Sequence, residues 1–301
     1  MTGTIVAGVG GAHGSAALAW AADEAAATDS RLVLLRAYPA ARFPDRLPAL
    51  PLEVADPSLA HTVGVLRNRL GGQRVAVRTS AAAPESVLTE CAADLLVIGA
   101  GGAGTTVRRI LRHARCPVVV VRGLAGGRGA AFAGHVVVAV DGETSGHAAL
   151  RFAFAWAGQH RVPLAAVHVC PDGPREHVTH PRTRAALDAR ALHVLRERVE
   201  PYSVAFPAVR SRRAILRGPV PEALVQAGIG AGLLVVEGRQ HGPMGWPRQD
   251  GVPLVVARTA DCPVAVVPRE HPGGPDRTGP RSSALRYAGP RSGGTEQAEQ
   301  R

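Results

Sequence analysis

Short apolar runs alternate with longer amphipathic segments along most of the chain. In the first half, runs rich in Val, Ile and Leu predict strands near residues 4–9, 31–37, 73–79, 94–99 and 117–122. Helical patterns separate them, near residues 15–29, 58–71, 84–93 and 105–113. The predicted strands are continuously apolar, which is typical of parallel strands covered on both faces. Strand–helix alternation with right-handed crossovers therefore predicts an open, doubly wound α/β sheet.

The second half of the chain repeats this order, with strands expected near 135–140, 162–169, 208–216, 232–236 and 263–268. Pro84-Glu85 recurs as Pro221-Glu222, and Cys116 and Cys262 each precede Pro-Val. The spacing between equivalent residues widens most between the fourth and fifth strands, so the first half has the shorter loop there. Conserved order with drifting spacing indicates two duplicated domains rather than a solenoid.

We assign the domains to residues 1–122 and 135–268, with a Gly/Ala-rich linker at 123–134. The segment 38–57 holds five prolines and is expected to be an irregular surface loop. Residues 269–301 combine Gly, Pro, Ser and Arg with almost no apolar content, which predicts a disordered tail.

The basic residues exclude several kinds of enzyme. All 35 residues counted as Lys or Arg are Arg, and the formal net charge of the 301-residue chain is +11. A P-loop needs a Lys on the phosphates, a protein kinase needs its strand Lys, and Schiff-base catalysis needs a Lys amine. None of these sites can operate here in its usual form.

The four cysteines form no Cys-x-x-Cys pair. We expect buried, inert thiols rather than disulfides or metal ligands. No apolar stretch approaches the ~18 residues of a membrane span, and the first residues lack a basic segment typical of a signal peptide. We therefore expect a cytoplasmic protein with no membrane contact.

Two loops are candidates for a ligand site. In an open α/β sheet the ligand crevice lies at the carboxyl ends of the strands, where the strand order reverses. If the first and fourth strands are neighbours, the crevice walls are loops 10–15 and 99–105, repeated as 141–145 and 237–251. A glycine-rich loop before a helix can offer free N–H groups to a phosphate, or it can simply form a tight turn.

Taken in order, the motifs resemble tandem universal stress protein domains. The resemblance rests on the Pro-Glu helices, Asp94-Leu-Leu-Val-Ile-Gly99 and Arg112-His-Ala-Arg-Cys-Pro-Val-Val-Val-Val, and it covers about 1–122 and 134–268. It implies a five-stranded parallel sheet of order 3-2-1-4-5 in each half and a dimer-like pairing of the two domains, with the fifth strands as the seam. It also implies a cytosolic role in stress survival. Nucleotide-binding members hold ATP between an Asp after the first strand and a Gly-x2-Gly-x9-Gly-Ser/Thr loop after the fourth.

The first half keeps part of that nucleotide pattern. Gly10-Gly11 stands where the family has Asp-Gly. The phosphate loop retains three glycines and the hydroxyl residue at positions Gly99, Gly102, Gly104 and Thr105. Only Ala103 separates the second and third glycines, where the family pattern has nine residues. The loss of the Asp predicts weakened or absent ATP binding here, and residual ATP binding or binding of a smaller anion is left as the alternative.

The second half keeps the complementary part. Asp141-Gly142 is present, but Glu237, Gln240 and Asp250 replace the three glycines. We expect Asp250 to cap the helix that begins near residue 251 and to take the N–H groups that a phosphate would use. With Glu237 as a second negative charge, ATP binding in this half is expected to be weak or absent.

The resulting hypothesis is a non-enzymatic universal stress protein with degenerate nucleotide sites that acts through an unidentified protein partner. The alternative is an ATP-binding regulatory sensor of stress or energy state, and ATP is the only cofactor considered. An adenylyl- or phosphoryl-transfer enzyme is disfavoured because no base–nucleophile set is recognisable and His13 and His241 are interpreted as loop residues. Arg-rich segments suggest a solvated face rather than a nucleic-acid surface, because few aromatic residues lie among them.

Overall fold

The structure is a computed structural model that describes residues 3–11, 13–38, 56–101, 105–123, 129–141, 146–170, 181–238 and 251–269. Several predictions fall outside these ranges. They concern most of the proline-rich loop, the interior of the linker, the tail beyond residue 269, and the loop positions Gly102, Gly104, Gly142, Gln240, His241 and Asp250.

The first half contains five strands and four helices within the described residues. In chain order they are β1 (Thr4–Gly8), α1 (Gly14–Thr28), β2 (Arg31–Ala37), α2 (Pro57–Leu70), β3 (Val75–Ser80), α3 (Pro84–Glu90), β4 (Leu95–Gly99), α4 (Thr105–His113) and β5 (Val118–Val121). Pro84 is in the first turn of α3, where its missing N–H leaves no hydrogen bond unmade.

The second half repeats the same succession in its described residues. The elements are β6 (Val136–Ala139), α5 (His147–His160), β7 (Leu164–Cys170), α6 (Pro181–Ala205), β8 (Ser211–Arg217), α7 (Val220–Ala227), β9 (Leu233–Gly238), α8 (Val252–Thr259) and β10 (Val264–Pro268). Within the described ranges, none of the helices combines the length and the apolar character needed to span a bilayer.

The strands form one sheet in the order β3-β2-β1-β4-β5-β10-β9-β6-β7-β8. Each half has the predicted order 3-2-1-4-5 with parallel neighbours, which confirms the predicted fold class. The sequence predicted a five-stranded sheet in each half with the fifth strands at the seam, and in the structure the two sheets join at this seam into one ten-stranded sheet. The two sheets merge because β5 and β10 pair in antiparallel register, with Val120 opposite Val264. This pairing covers the apolar edge that each fifth strand would otherwise expose.

Two apolar layers cover the sheet, one on each face, and each layer runs across both halves. One packs α1, α2, α5 and α6 and contains Leu32 and Phe154. The other packs α3, α4, α7 and α8 and contains Leu96 and Leu234. Because both layers include side chains of β5 and β10, the seam lies inside the hydrophobic core rather than beside it.

Two further contacts join the halves or anchor the segment between them. In the segment predicted as a linker, Phe132 is buried, and the guanidinium of Arg212 lies 4.6 Å from its ring centre. On α1 the carboxylate of Glu24 is buried against α5, where it accepts a hydrogen bond from Trp156 Nε1 at 3.1 Å and lies 3.1 Å from His160 Nε2. The two halves therefore share polar as well as apolar contacts.

Candidate functional site

In each half the first and fourth strands are neighbours, and their carboxyl ends lie where the strand order reverses. Open α/β sheets bind ligands at this place, which we call the crevice. The hydrogen-bond register makes Gly10 equivalent to Asp141, because the preceding residues Val9 and Val140 donate to the carbonyls of Leu35 and Val167, both at 2.9 Å. Gly99 is equivalent to Glu237, since they lie opposite Val121 and Val267 of the fifth strands. The residue correspondence predicted from the repeats therefore holds in three dimensions.

In the first half, the loops after β1 and β4 approach each other through backbone alone. Gly11 has a φ of +70°, and a β-carbon placed on it would lie 3.9 Å from the carbonyl oxygen of Gly101. Gly99 ends β4, and Thr105 is the exposed first residue of α4. The structure thus brings Gly11 to the start of the loop after Gly99, while Gly102 and Gly104 lie outside the described residues.

Arg36 occupies the space into which a side chain at Gly10 would project. A β-carbon on Gly10 would lie 2.7 Å from Arg36 Nη1, and Gly10 has a φ of +142° that disfavours any side chain. Arg36 Nη1 donates to the carbonyl oxygen of Val9 at 3.1 Å. Where the second half has the acidic side chain of Asp141, the first half therefore has a glycine with a guanidinium beside it.

The charge of Arg36 has an acidic neighbour. Arg36 Nε lies 3.6 Å from Asp56 Oδ2, which also accepts a hydrogen bond from the Tyr38 hydroxyl at 3.0 Å. Asp56 Oδ1 accepts from the backbone N–H of Leu59 at 3.0 Å and so caps α2. Burial and the hydrogen bond to Asp56 raise the pKa of Tyr38. The guanidinium is consequently held by a structural network at the rim of the crevice.

His168 takes the place of Arg36 in the second half. It is the third residue from the end of β7, and its Nδ1 lies 2.8 Å from the carbonyl oxygen of Val140. Because a carbonyl can only accept, Nδ1 is the protonated nitrogen of the ring in this contact. Both halves thus use a polar side chain of the second strand to hold the chain just after the first strand.

The carboxylate of Glu237 spans the crevice of the second half. Both of its oxygens lie 3.0 Å from the backbone nitrogen of Gly146, the residue that precedes α5. Gly146 is buried, has a φ of +108° and donates its N–H to this carboxylate from the start of the helix. A helix N-terminus favours a negative charge, and here the protein supplies one from the end of β9. Gly99 in the first half has no side chain that could do this.

One predicted feature of the second half is wrong. The residue that caps α8 is Gly251, in extended conformation with φ −65° and ψ 162°, and its carbonyl accepts from Leu254 N–H at 2.9 Å. Asp250 therefore lies one residue before the cap, outside the described residues. Val252 begins the helix and Pro253 follows. Because proline has no N–H, the first turn has one fewer N–H group that a capping side chain would need to bind. Asp141 is exposed at the end of the first strand of this half.

Glu237 was identified from the sequence as a negative charge, whereas Arg36 and His168 were not. Both interrupt an otherwise apolar strand run, and the repeat places them at equivalent positions. A polar residue recurring inside a buried strand of both repeats is the signal that could have identified them. The bond between Glu237 and Gly146 carries no such signal, because 91 residues separate the two in the chain.

Comparison with known proteins agrees with this architecture. A family model described as the universal stress protein family matches residues 1–122 and again residues 133–268. A universal stress protein of Mycobacterium tuberculosis is 30% identical over 198 residues, a match that covers 62% of this chain and 65% of that relative. The match thus spans slightly less than two thirds of the length of the curated relative.

Solved structures share the fold at low sequence identity. A universal stress protein from Archaeoglobus fulgidus superposes with a TM-score of 0.61 at 14% identity, covering 89% of this chain and 96% of the other. A protein of unknown function from Pseudomonas aeruginosa gives a TM-score of 0.59 at 18% identity, covering 89% and 92%. With the fold shared and the family pattern matched in both halves, the chain belongs to the universal stress protein family.

Proposed function

We propose that this chain is a non-enzymatic stress-response protein in which both nucleotide sites are degenerate, and that it acts through contacts with a protein partner. The observation that supports this most strongly is the Glu237 carboxylate at the N-terminus of α5. It occupies, with the protein's own negative charge, the place where a helix N-terminus would receive a phosphate.

Electrostatics favours weak ATP binding in the second half. A phosphate brought to about 4 Å from the Glu237 carboxylate would be repelled by roughly 4 kcal/mol at the effective dielectric constant of a protein surface. Moving the carboxylate away instead breaks its hydrogen bond with the Gly146 N–H, which a phosphate would have to replace. The internal carboxylate therefore competes with a triphosphate for this N–H, even though Asp141 is retained.

The first half is degenerate for a different reason. Its Asp position is Gly10, and the adjoining space holds the Arg36 guanidinium. A ribose hydroxyl that would have bonded to the missing carboxylate loses a contact worth about 1–3 kcal/mol if nothing replaces it. Since the chain has no Lys and no Gly-x-Ser-x-Gly nucleophile elbow, we also propose that neither crevice performs phosphoryl or acyl transfer.

An ATP-binding regulatory sensor is the second candidate. One observation favours it: where Gly11 approaches the Gly101 carbonyl, the described loops after β1 and β4 come together through backbone, and the Arg36 guanidinium lies beside Gly10. Backbone N–H groups next to a positive side chain form a surface that can receive an anion. Bound nucleotide that co-purifies with the full chain would support this alternative over the first proposal.

Titration calorimetry of the full chain with Mg-ATP tests the proposal. We expect a dissociation constant weaker than about 10 µM, which corresponds to a binding free energy of less than ~7 kcal/mol. Binding tighter than this value to the unmodified chain would contradict degenerate sites and favour the sensor.

The Glu237→Gly substitution should tighten Mg-ATP binding at least tenfold, equivalent to about 1.4 kcal/mol. It removes the internal carboxylate and frees the Gly146 N–H for a phosphate. Calorimetry of the variant and the unmodified chain under one salt concentration measures the change. Glu237→Gln, which removes the charge but keeps an acceptor, should give a smaller gain.

Glu222→Gln is the matched control for charge, because Glu222 is an exposed carboxylate in the first turn of α7. It changes the net charge by the same amount away from the crevice and should leave the affinity unchanged. Equal affinities for Glu237→Gly and the unmodified chain would show that Glu237 does not limit binding.

A further inference from the structure

Cys91 and Cys116 both lie at the end of the sheet opposite the first crevice, at the C-terminus of α3 and before β5. Cys91 is the residue that follows α3, and Cys116 precedes the proline that leads into β5. The N–H of Leu96, near the start of β4, donates to the carbonyl of Pro117 at 3.0 Å, which places Cys116 beside the beginning of β4. Both cysteines are partly buried and pack against the same apolar layer.

The second half shows how close these two positions come. Gly228 follows α7 as Cys91 follows α3, and Cys262 precedes the proline before β10 as Cys116 does before β5. A β-carbon placed on Gly228 would lie 3.0 Å from the sulfur of Cys262. In a disulfide, an S–S bond of ~2.04 Å places the β-carbon of one cysteine about 3 Å from the sulfur of the other. The end of this helix and the cysteine before the fifth strand are thus at bridging distance.

The first half carries a thiol at both of these places. We propose that Cys91 and Cys116 are a dithiol pair that a peroxide oxidises to an intramolecular disulfide. This inference is independent of the proposed function. All four cysteines are free thiols in the structure, as the sequence predicted, and the proposal departs from the expected inertness for this one pair.

Electrostatics supports the proximity of the two sulfurs. Burial, followed by the charge of the Cys91 thiolate and then by Asp94, raises the pKa of Cys116 to about 12. Burial also raises the pKa of Cys91. A hydrogen bond with its own backbone and the nearby charge of Arg78 both lower this pKa and so offset part of the increase. Cys91 is therefore the thiol expected to ionise and react first.

The chemistry balances with peroxide as the oxidant. The Cys91 thiolate attacks one peroxide oxygen, the O–O bond breaks, and after proton uptake a sulfenic acid and one water are formed. The Cys116 sulfur then attacks the Cys91 sulfur, the S–O bond breaks, and the Cys116 proton leaves with hydroxide as a second water. Two thiols and one hydrogen peroxide thus give one disulfide and two waters. Because both pKa values are raised, the rate should increase as pH rises above neutrality.

The bridge would close a loop around β4, residues 99–105 and α4. That segment contains the backbone that forms one wall of the first crevice. A disulfide restricts the unfolded chain, so the oxidised protein should melt at a temperature higher by roughly 5 °C or more.

Peptide mapping of the full chain tests the proposal. The protein is treated with hydrogen peroxide at pH 8, the remaining thiols are alkylated, and trypsin is applied without reduction. Cleavage after Arg separates Cys91, in peptide 79–108, from Cys116, in peptide 116–122. We expect these two peptides to appear joined, with the loss of two hydrogens, and to separate after reduction.

Three variants serve as controls. Cys116→Ser should abolish the joined peptides, and Cys170→Ser should leave them unchanged. Gly228→Cys should add a second joined pair that links peptides 218–239 and 259–269. If peptides 79–108 and 116–122 stay separate in the oxidised wild-type protein, the proposal is overturned. The Gly228→Cys variant shows that the method can detect a bridge at the equivalent position of the second half.

Discussion

Replacing Glu24 with alanine is expected to lower the free energy of unfolding by about 3 kcal/mol. Glu24 is only 5% exposed, and its carboxylate on α1 holds two side chains of α5 in the other half of the chain. Trp156 donates to it at 3.1 Å, and His160 Nε2 lies at the same distance. The rings of Trp156 and His160 stack with their centres 3.8 Å apart, so removal of the carboxylate leaves the partly buried Trp156 N–H without its acceptor and His160 without this polar partner.

Two variants separate this buried contact from a general effect of charge. Glu24→Gln retains an acceptor for Trp156 and should lose less stability than alanine. Asp23→Ala removes the adjacent carboxylate of an exposed ion pair, 2.7 Å from Arg69, and should cost less than about 1 kcal/mol. Chemical denaturation monitored by tryptophan fluorescence measures all three. Equal losses for Glu24→Ala and Asp23→Ala would contradict a structural role for the buried carboxylate.

Val119→Asp is expected to have a still larger effect, at least about 4 kcal/mol, and to destabilise both halves together. Val119 is fully buried in β5 and lies opposite the fully buried Ala265 of β10. A carboxylate there would lie inside the apolar layer that both halves share. Because that layer is continuous, unfolding should remain a single transition at lower denaturant concentration.

Thr79→Asp is the control for a new carboxylate in a strand. Thr79 is exposed on β3, an edge strand of the ten-stranded sheet, so this variant should change stability by less than about 0.5 kcal/mol. Circular dichroism and tryptophan fluorescence should report the same midpoint for Val119→Asp. A variant in which one half unfolds while the other keeps its native midpoint would show that the seam does not couple them.

Most of the fold was predictable because its signals are local. Val118–Val121 and Val136–Ala139 are continuously apolar, and such runs fit only strands with both faces covered. Pro84 and Pro221 marked helix starts because proline leaves no unmet hydrogen bond there. The family resemblance implied the seam between the fifth strands, whereas the antiparallel register of β5 and β10 depends on edges that face each other only after each half has folded.

The candidate site was predictable in part. Gly10, Gly11 and Gly99 were identified from their place after apolar strands, and the structure puts them at the crevice. The exchange of an acidic side chain for Arg36 was not identified, because Arg36 lies on a different strand. The cap of α8 was assigned one residue too early, because a favourable side chain at Asp250 outweighed the extended conformation that Gly251 adopts.

The sequence by itself determined the repeated α/β order, the strands and the loss of family residues at each crevice, because these follow from residue type and spacing. Only the tertiary structure decided what replaced those residues. The Glu237 carboxylate reaches Gly146, and Glu24 reaches Trp156, across separations of 91 and 132 residues. Such contacts form only when strands and helices are correctly placed relative to one another, and the packing of the whole chain stabilises that placement.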